Sequence, residues 1–286
     1  MSPLINRNPL LSSAARQILS RILIVSLVLT VGACSSEELI EQLSPQARFD
    51  LAMKYFQEGD YVEAEKEFRV VVLQFQGTAL ADDAQFYLGE CQYMREQFIL
   101  AAYEYEVLLR TMPTSEYVPR ARFRRAMCYY NQSRESYRDQ TETKKAIDEF
   151  QAFLEYHPTD TLAHEAAAKI QELNTKLAKK EFDNGVLYMK MESYRAAIIY
   201  FDLVLERFHD TPYAEEAQLK KAEAFLLRKR PSEALAEIDR YLQRYPNGNH
   251  RGEAQKLRET ILTQLSTQRD SSSVNRLVAP NSVKQF

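Results

Sequence analysis

Residues 185–204 read GVLYMKMESYRAAIIYFDLV, and their spacing decides how the chain folds. Gly185 is followed by Tyr188 three residues on and by Ala197 twelve on; Ala197 is followed by Phe201 and Val204 at four and seven. Intervals of three, four and seven place side chains on one face of a helix. A small residue facing a small residue lets two antiparallel helices approach closely, while Tyr, Phe and Val fill the ridge beside the contact. The same frame recurs on either side of this stretch. Its first small residue is Ala52, Gly89, Ala126, Gly185 and Ala222, with Tyr55, Gln92, Tyr129, Tyr188 and Phe225 three further on. Its second is Ala64, Ala101, Ala146, Ala197 and Ala234, each with a larger residue four later at Phe68, Tyr105, Phe150, Phe201 and Ile238. The last column is Val71, Leu108, Phe153, Val204 and Tyr241. Pro113, Pro158 and Pro246 close the second, third and fifth copies, because Pro cannot continue a helix.

Five such copies resemble the tetratricopeptide repeat. The resemblance implies an all-α fold: a right-handed α-solenoid of about five helix pairs, each a helix A and a helix B, ending in a C-terminal capping helix. The second Ala recurs at intervals of 37, 45, 51 and 37 residues, so two connections are long. Residues 133–143 (SRESYRDQTET) are polar and aperiodic, which makes them a loop inside the third pair. Residues 163–191 contain no Pro and one Gly, and read as one long or slightly broken helix joining the first three copies to the last two. Residues 253–265 form the amphipathic cap; Ser271, Ser272, Ser273 and Pro280 place a disordered tail over 267–286.

Composition fits this reading and excludes others. Among 286 residues, 45% are hydrophobic and 27% charged, enough for a core. Only 7 are Gly, no two closer than four apart, so neither a P-loop nor a dinucleotide fingerprint exists. A net charge of −3 is not that of a general nucleic-acid binder. His157, His164, His209 and His250 form no i, i+4 pair, which argues against zinc, and no Gly-x-Ser-x-Gly occurs. The many carboxylates, such as Glu63, Glu65 and Glu67, read as solvated helix faces. Neither enzyme nor cofactor is expected.

The first 33 residues are not fold. Arg7, Arg16 and Arg21 form a positive region without an acid before Glu37, and residues 22–31 are a ten-residue apolar run. A spanning helix needs roughly 20 apolar residues, so this reads as a secretory signal. Val31-Gly32-Ala33-Cys34 resembles the bacterial lipobox, which implies lipid on Cys34 and cleavage after Ala33. Two or more acyl chains anchor stably. Ser35, rather than Asp, follows the Cys, which in the enterobacterial sorting rule permits transfer to the outer membrane. The expected organisation is a signal over 1–33, a lipid-anchored linker over 34–44, repeats one to three over 45–160, and repeats four and five with the cap over 161–266.

Cys91 and Cys128 occupy equivalent positions of adjacent helices A. Such positions lie roughly 8–10 Å apart, beyond disulfide reach, so two free, buried thiols are expected. In this repeat class, one stripe of the helices A lines the inner groove. Here it offers Phe49, Met53 and Phe56 in the first copy, Phe86 and Tyr93 in the second, and Arg120, Phe123, Arg124, Met127 and Tyr130 in the third. Phe49, Phe86 and Phe123 form one ladder; Phe56, Tyr93 and Tyr130 form another. Each residue alone is as well explained by filling space between helices, but together the ladders read as an apolar peptide groove. Arg120 and Arg124, at i, i+4, project from one side and suit a peptide carboxylate. Arg122 and Arg125 fall on other faces and read as surface charges.

Leu177-Ala178-x2-Glu181, leading into the Gly185 helix, and Asp139-Gln140-Thr141, preceding Ala146, are similar to the BamD family, tetratricopeptide lipoproteins of the outer-membrane β-barrel assembly machine. Together with the lipobox, the five copies and the cap, the resemblance covers nearly the whole chain after Ala33. The sequence departs from the pattern at Gln76-Gly77, where the first copy lacks its Pro, and at Pro231, where other copies keep Tyr or Phe. The resemblance implies a lipid-anchored, non-enzymatic scaffold facing the periplasm at the outer membrane. Its first three copies would bind the C-terminal targeting segment of unfolded β-barrel proteins. Its last copies would bind the periplasmic domain of a BamA-like barrel and accessory lipoproteins. The alternative is a periplasmic adaptor in cell-wall or envelope-division coordination.

Overall fold

The computed structural model describes residues 43–278; the lipobox and Cys34 lie outside them. All regular structure among the described residues is helical. Two compact units divide at Tyr117 and Val118. The first holds α1 (Pro45–Glu58), α2 (Tyr61–Gln74), α3 (Leu80–Met94) and α4 (Phe98–Thr111). The second holds α5 (Val118–Gln132), α6 (Thr141–Tyr156), α7 (Ala163–Lys190), α8 (Tyr194–Arg207), α9 (Tyr213–Leu227), α10 (Pro231–Arg244) and α11 (Arg251–Val278). Helices A and B of the five copies are thus α1/α2, α3/α4, α5/α6, α7/α8 and α9/α10, with α11 as the cap.

The two small-residue columns lie at the crossings of these pairs. Ala52, Ala64, Ala101, Ala126, Ala146, Ala197, Ala222 and Ala234 are all wholly buried. Phe68, Tyr105, Phe150, Phe201 and Ile238 fill the ridges beside them and are equally inaccessible. Burying such a side chain contributes about 1.5–3 kcal/mol each, so the repeating frame carries much of the core.

The turns follow one design. Gly59, Glu96, Glu192 and Lys229 adopt φ of +83°, +58°, +55° and +59°. Each donates its N–H to the carbonyl of Phe56, Tyr93, Met189 or Leu226, and the next residue donates to Tyr55, Gln92, Tyr188 or Phe225. This pair of bonds is a Schellman motif, which satisfies the last carbonyls of each helix A. The third copy replaces it with the loop of residues 133–140. Pro231 is at the first position of α10, where a missing N–H costs nothing.

The long connection is one unbroken helix. The first half of α7 packs Ala166, Leu173 and Leu177 against α5 and α6. Its second half packs Phe182 against α8 and α9. The helix therefore joins copies three and four, and compactness does not divide the chain near residue 160. The cap also runs further than the sequence suggests. It continues to Val278, because no Gly or Pro interrupts it between Gly252 and Pro280.

Candidate interaction surfaces

The ladder residues have definite surroundings. Phe86 is wholly buried, stacked on Tyr117 with centroids 4.6 Å apart. Phe123 is 5% exposed and edge-on to Phe150 and Phe153, 5.6 Å from each. These two rings are core and do not wall a groove. They stand three residues before Gly89 and Ala126, and residues at i and i+3 share a helix face, which here is the face turned to helix B.

The remaining ladder rings are half-buried. Phe49 meets Phe68 at 5.5 Å and Tyr87 at 6.3 Å, and Phe56 meets Tyr61 at 5.4 Å and Tyr87 at 5.3 Å. Met53 packs into the same cluster. Tyr93 lies edge-on to Phe98 at 5.4 Å. Tyr87, which the column pattern passes over, is the hub: it also stacks on Phe68 at 5.4 Å.

On α5, Arg120 is exposed while Arg124, Met127 and Tyr130 are half-buried. They stand at i, i+4, i+7 and i+10, one stripe along the helix. The Tyr130 hydroxyl donates to Glu172 Oε1 at 2.7 Å and accepts from Lys169 Nζ at 2.9 Å. Burial and the Glu172 carboxylate push this phenol up, against the pull of Lys169. Arg120 and Arg124 both have partners within the protein.

The carboxylates are less solvated than the sequence implies. Arg48 Nη1 reaches Glu67 Oε2 at 2.7 Å, with side chains only 6% and 15% exposed. Gln85 Nε2 donates to Glu104 Oε2 at 2.8 Å, Arg125 Nη2 to Glu149 Oε2 at 2.5 Å, and Gln218 Nε2 to Glu237 Oε2 at 2.5 Å. Each carboxylate stands three residues after the second Ala. Each donor stands four before the first small residue, except Arg125, which is one turn closer. A polar clasp therefore ties helix A to helix B in four copies, and its constant offset was the sequence signal that could have revealed it. Glu65 is likewise held, by Arg69 at 2.9 Å and Arg95 at 2.7 Å. Arg122 is no loose surface charge either: its guanidinium lies 4.3 Å over the Tyr156 ring.

Cys91 and Cys128 are buried, and neither is joined in a disulfide. Burial, reinforced by Glu65 and Glu90, pushes the Cys91 thiol up to about 12. It is thus protonated and inert toward electrophiles at neutral pH.

The second unit exposes a run of large apolar side chains where helices A turn into helices B. Leu187 and Met191 at the end of α7 are 53% and 60% exposed, Ile199 on α8 is 55% and Leu227 at the end of α9 is 52%. Tyr194, Arg195, Ile199 and Arg228 line one shallow hollow there. Among the described residues, no group of three or more His, Cys, Asp and Glu is placed to hold a metal. None of the described helices is long and apolar enough to cross a membrane.

Helix pairs tied by buried crossings and clasps, with apolar and basic side chains left at turns and stripes, define a tetratricopeptide-type scaffold. The outer membrane lipoprotein family YfiO matches residues 41–223 and 193–279, and the chain belongs to that family. An outer membrane protein assembly factor BamD from Caulobacter vibrioides is 29% identical over 59% of this chain, a match that spans 55% of the relative's own length. A BamD from Rickettsia prowazekii is 24% identical over 81% of this chain and 92% of the relative, and one from Vibrio cholerae is 22% identical over 73% and 90%. These relatives are named as outer membrane protein assembly factors.

Proposed function

We propose that the chain is a periplasm-facing scaffold, lipid-anchored through Cys34, that holds the periplasmic domain of a BamA-type barrel and receives unfolded β-barrel proteins by their C-terminal targeting segment. Accessory assembly lipoproteins would share its surface. The observation that carries the reading is the apolar turn edge of the second unit, with Leu187, Met191, Ile199 and Leu227 all more than half exposed. Apolar side chains left exposed together mark interaction sites, and Ile199 lines a hollow with Tyr194 and Ala196. Arg195 and Arg228 beside it supply the polar rim that such interfaces carry.

The substrate segment is assigned to the α5 stripe. Arg120 and Arg124 suit its terminal carboxylate, and Met127 with Tyr130 offers apolar contact to the residues before it. Phe123 supports this surface from the core, and neither it nor the buried Phe86 touches the peptide. The edge is tested by detergent extraction of membranes and affinity purification of the chain. Wild type should bring down a BamA-type barrel, and Ile199→Asp with Leu227→Asp should lose it while keeping normal helicity by circular dichroism. Retention of the barrel by a folded double variant would move the interface elsewhere.

A further inference from the structure

Copies three and four are joined differently from the rest. Their second Ala residues stand 51 apart, against 37 or 45 elsewhere, and α7 spans the connection as one 28-residue helix. Its first half enters the core of copy three through Ala166, Leu173 and Leu177, and its second enters the core of copy four through Phe182. Much of the link between the two copies is therefore a single helix. That helix has a weak point just before it changes core. Asn174 and Thr175 are poor helix formers, and Thr175 Oγ1 donates to the Gln171 carbonyl at 2.8 Å. A hydroxyl bonded to the carbonyl one turn back weakens and bends a helix. Left to itself, α7 would flex here.

Bonds on two flanks of α7 span this point. On one, Gln171 Nε2 donates to the Asp210 carbonyl at 3.0 Å, and Phe208 packs on the core of copy three. On the other, Lys169, Glu172, Lys176 and Lys180 stand at i, i+3, i+7 and i+11, one stripe of the helix. All four reach back to copy three. Before Thr175, Lys169 Nζ donates to the Tyr130 hydroxyl at 2.9 Å, which donates to Glu172 Oε1 at 2.7 Å. Beyond it, Lys176 Nζ donates to Ser133 Oγ at 2.8 Å and Lys180 Nζ to the Arg138 carbonyl at 2.9 Å. The second pair lands on residues 133–140, the insertion that only copy three carries, and this insertion is stiff. Gln140 is 4% exposed; its Nε2 donates to the Glu135 carbonyl at 2.8 Å and the Arg138 carbonyl at 3.2 Å, and its Oε1 accepts from Thr143 Oγ1 at 2.8 Å. Thr143 is wholly buried, with its hydroxyl 2.6 Å from Ser133 Oγ. The two lysines thus grip a backbone fixed to α6. We propose that the insertion is a brace: through Lys176 and Lys180 it holds the half of α7 beyond Thr175, and with it copies four and five, at one angle to copy three. A single lysine bond near the surface is weak; the stripe acts because its contacts straddle one bend and end on rigid partners. The α5 stripe and the turn edge therefore keep one separation. The brace follows from the geometry of the second unit and not from what either surface binds.

The test is a distance distribution measured by pulsed electron resonance on the full chain in detergent micelles. Nitroxides are coupled to p-acetylphenylalanine placed at the exposed positions Gln151 of α6 and Gln243 of α10, so that no cysteine is altered. The otherwise unaltered chain should give one narrow distribution. Gln140→Ala, which frees the insertion, and Lys176→Met with Lys180→Met, which breaks the grip on it, should each about double the width, with helicity by circular dichroism unchanged. Adding Thr175→Ala to the double lysine variant should narrow the distribution again, because the bend is gone. Lys179→Met, which loses only a surface pair with Asp183, should leave it narrow. Three outcomes overturn the proposal: an unchanged width in both unbraced variants, equal widening by Lys179→Met, or a distribution in the unaltered chain already as broad as theirs.

Discussion

A Cβ added to Gly89 would stand 2.4 Å from Cε1 of Tyr105, inside the ring's own van der Waals envelope. Tyr105 has no room to yield: it is wholly buried, and its hydroxyl donates to Glu90 Oε1 at 2.6 Å. In an open helix, Gly→Ala gains about 1 kcal/mol. Here the sign reverses, and Gly89→Ala should cost about 1–3 kcal/mol by overpacking. Gly185→Ala should behave alike, since its Cβ would meet Phe201 Cε1 at 2.5 Å. Urea unfolding followed by circular dichroism measures both; a stabilised Gly89→Ala protein would mean that the crossing is looser than described.

The Arg48–Glu67 clasp makes a different kind of prediction. Removing one member of a buried pair strands the other, so Glu67→Ala should cost about 3 kcal/mol or more. Replacing both at once, Arg48→Met with Glu67→Leu, should come close to wild type. If the single and double variants lose the same stability, the pair is a surface contact without buried charge.

The helix pairs were legible because packing two helices imposes a period that a single chain displays openly: Ala52, Ala64 and Phe68 announce the first crossing, and each copy repeats it. The surface was less legible. Phe86 and Phe123 recur at the same interval as true groove residues would, and periodicity alone does not tell which side of a helix a ring turns to. The clasps were hidden because Glu67 and Glu104 look like any helical carboxylate until Arg48 and Gln85 are seen opposite. Tyr87 gave no column signal, since only the first unit uses it as a hub. The order in residues 133–140 depends on Lys176 and Lys180, some forty residues away, which no local pattern reveals.

Acid should attack the second unit at Glu215. Burial alone would raise its carboxyl, but the Tyr241 hydroxyl at 2.7 Å and the His250 N–H at 3.1 Å outweigh burial and hold it below its ordinary 4.5. A carboxyl depressed in the folded state contributes stability that is fully present above the unfolded value and is lost as pH falls through the folded one. Glu215→Gln should therefore flatten the decline of stability below about pH 4.5 while lowering stability at pH 7. Thermal melts at pH 7 and pH 3.5 make the comparison. An unchanged acid slope would assign the acid sensitivity to other carboxylates.

The turns offer a stabilising change. Glu96, Glu192 and Lys229 hold positive φ without being glycine, a conformation that costs an L-residue about 1 kcal/mol. Glu192→Gly and Lys229→Gly should each raise stability by up to that amount, and Gly59→Ala should lower it similarly. Melting temperatures of the three variants decide this; a lower value for Glu192→Gly would show that its side chain contributes more than its backbone costs.

The central claim is that the chain reads the carboxylate end of its substrates on α5. It is tested most directly by titrating the full chain with a peptide from the C-terminus of an outer-membrane β-barrel protein, as the free acid and as the amide. Wild type should prefer the free acid, and the preference should shrink with salt. Arg124→Ala should erase most of it, while Phe123→Leu, a core change, should leave the ratio of the two affinities intact. Equal affinity of wild type for acid and amide would contradict the account.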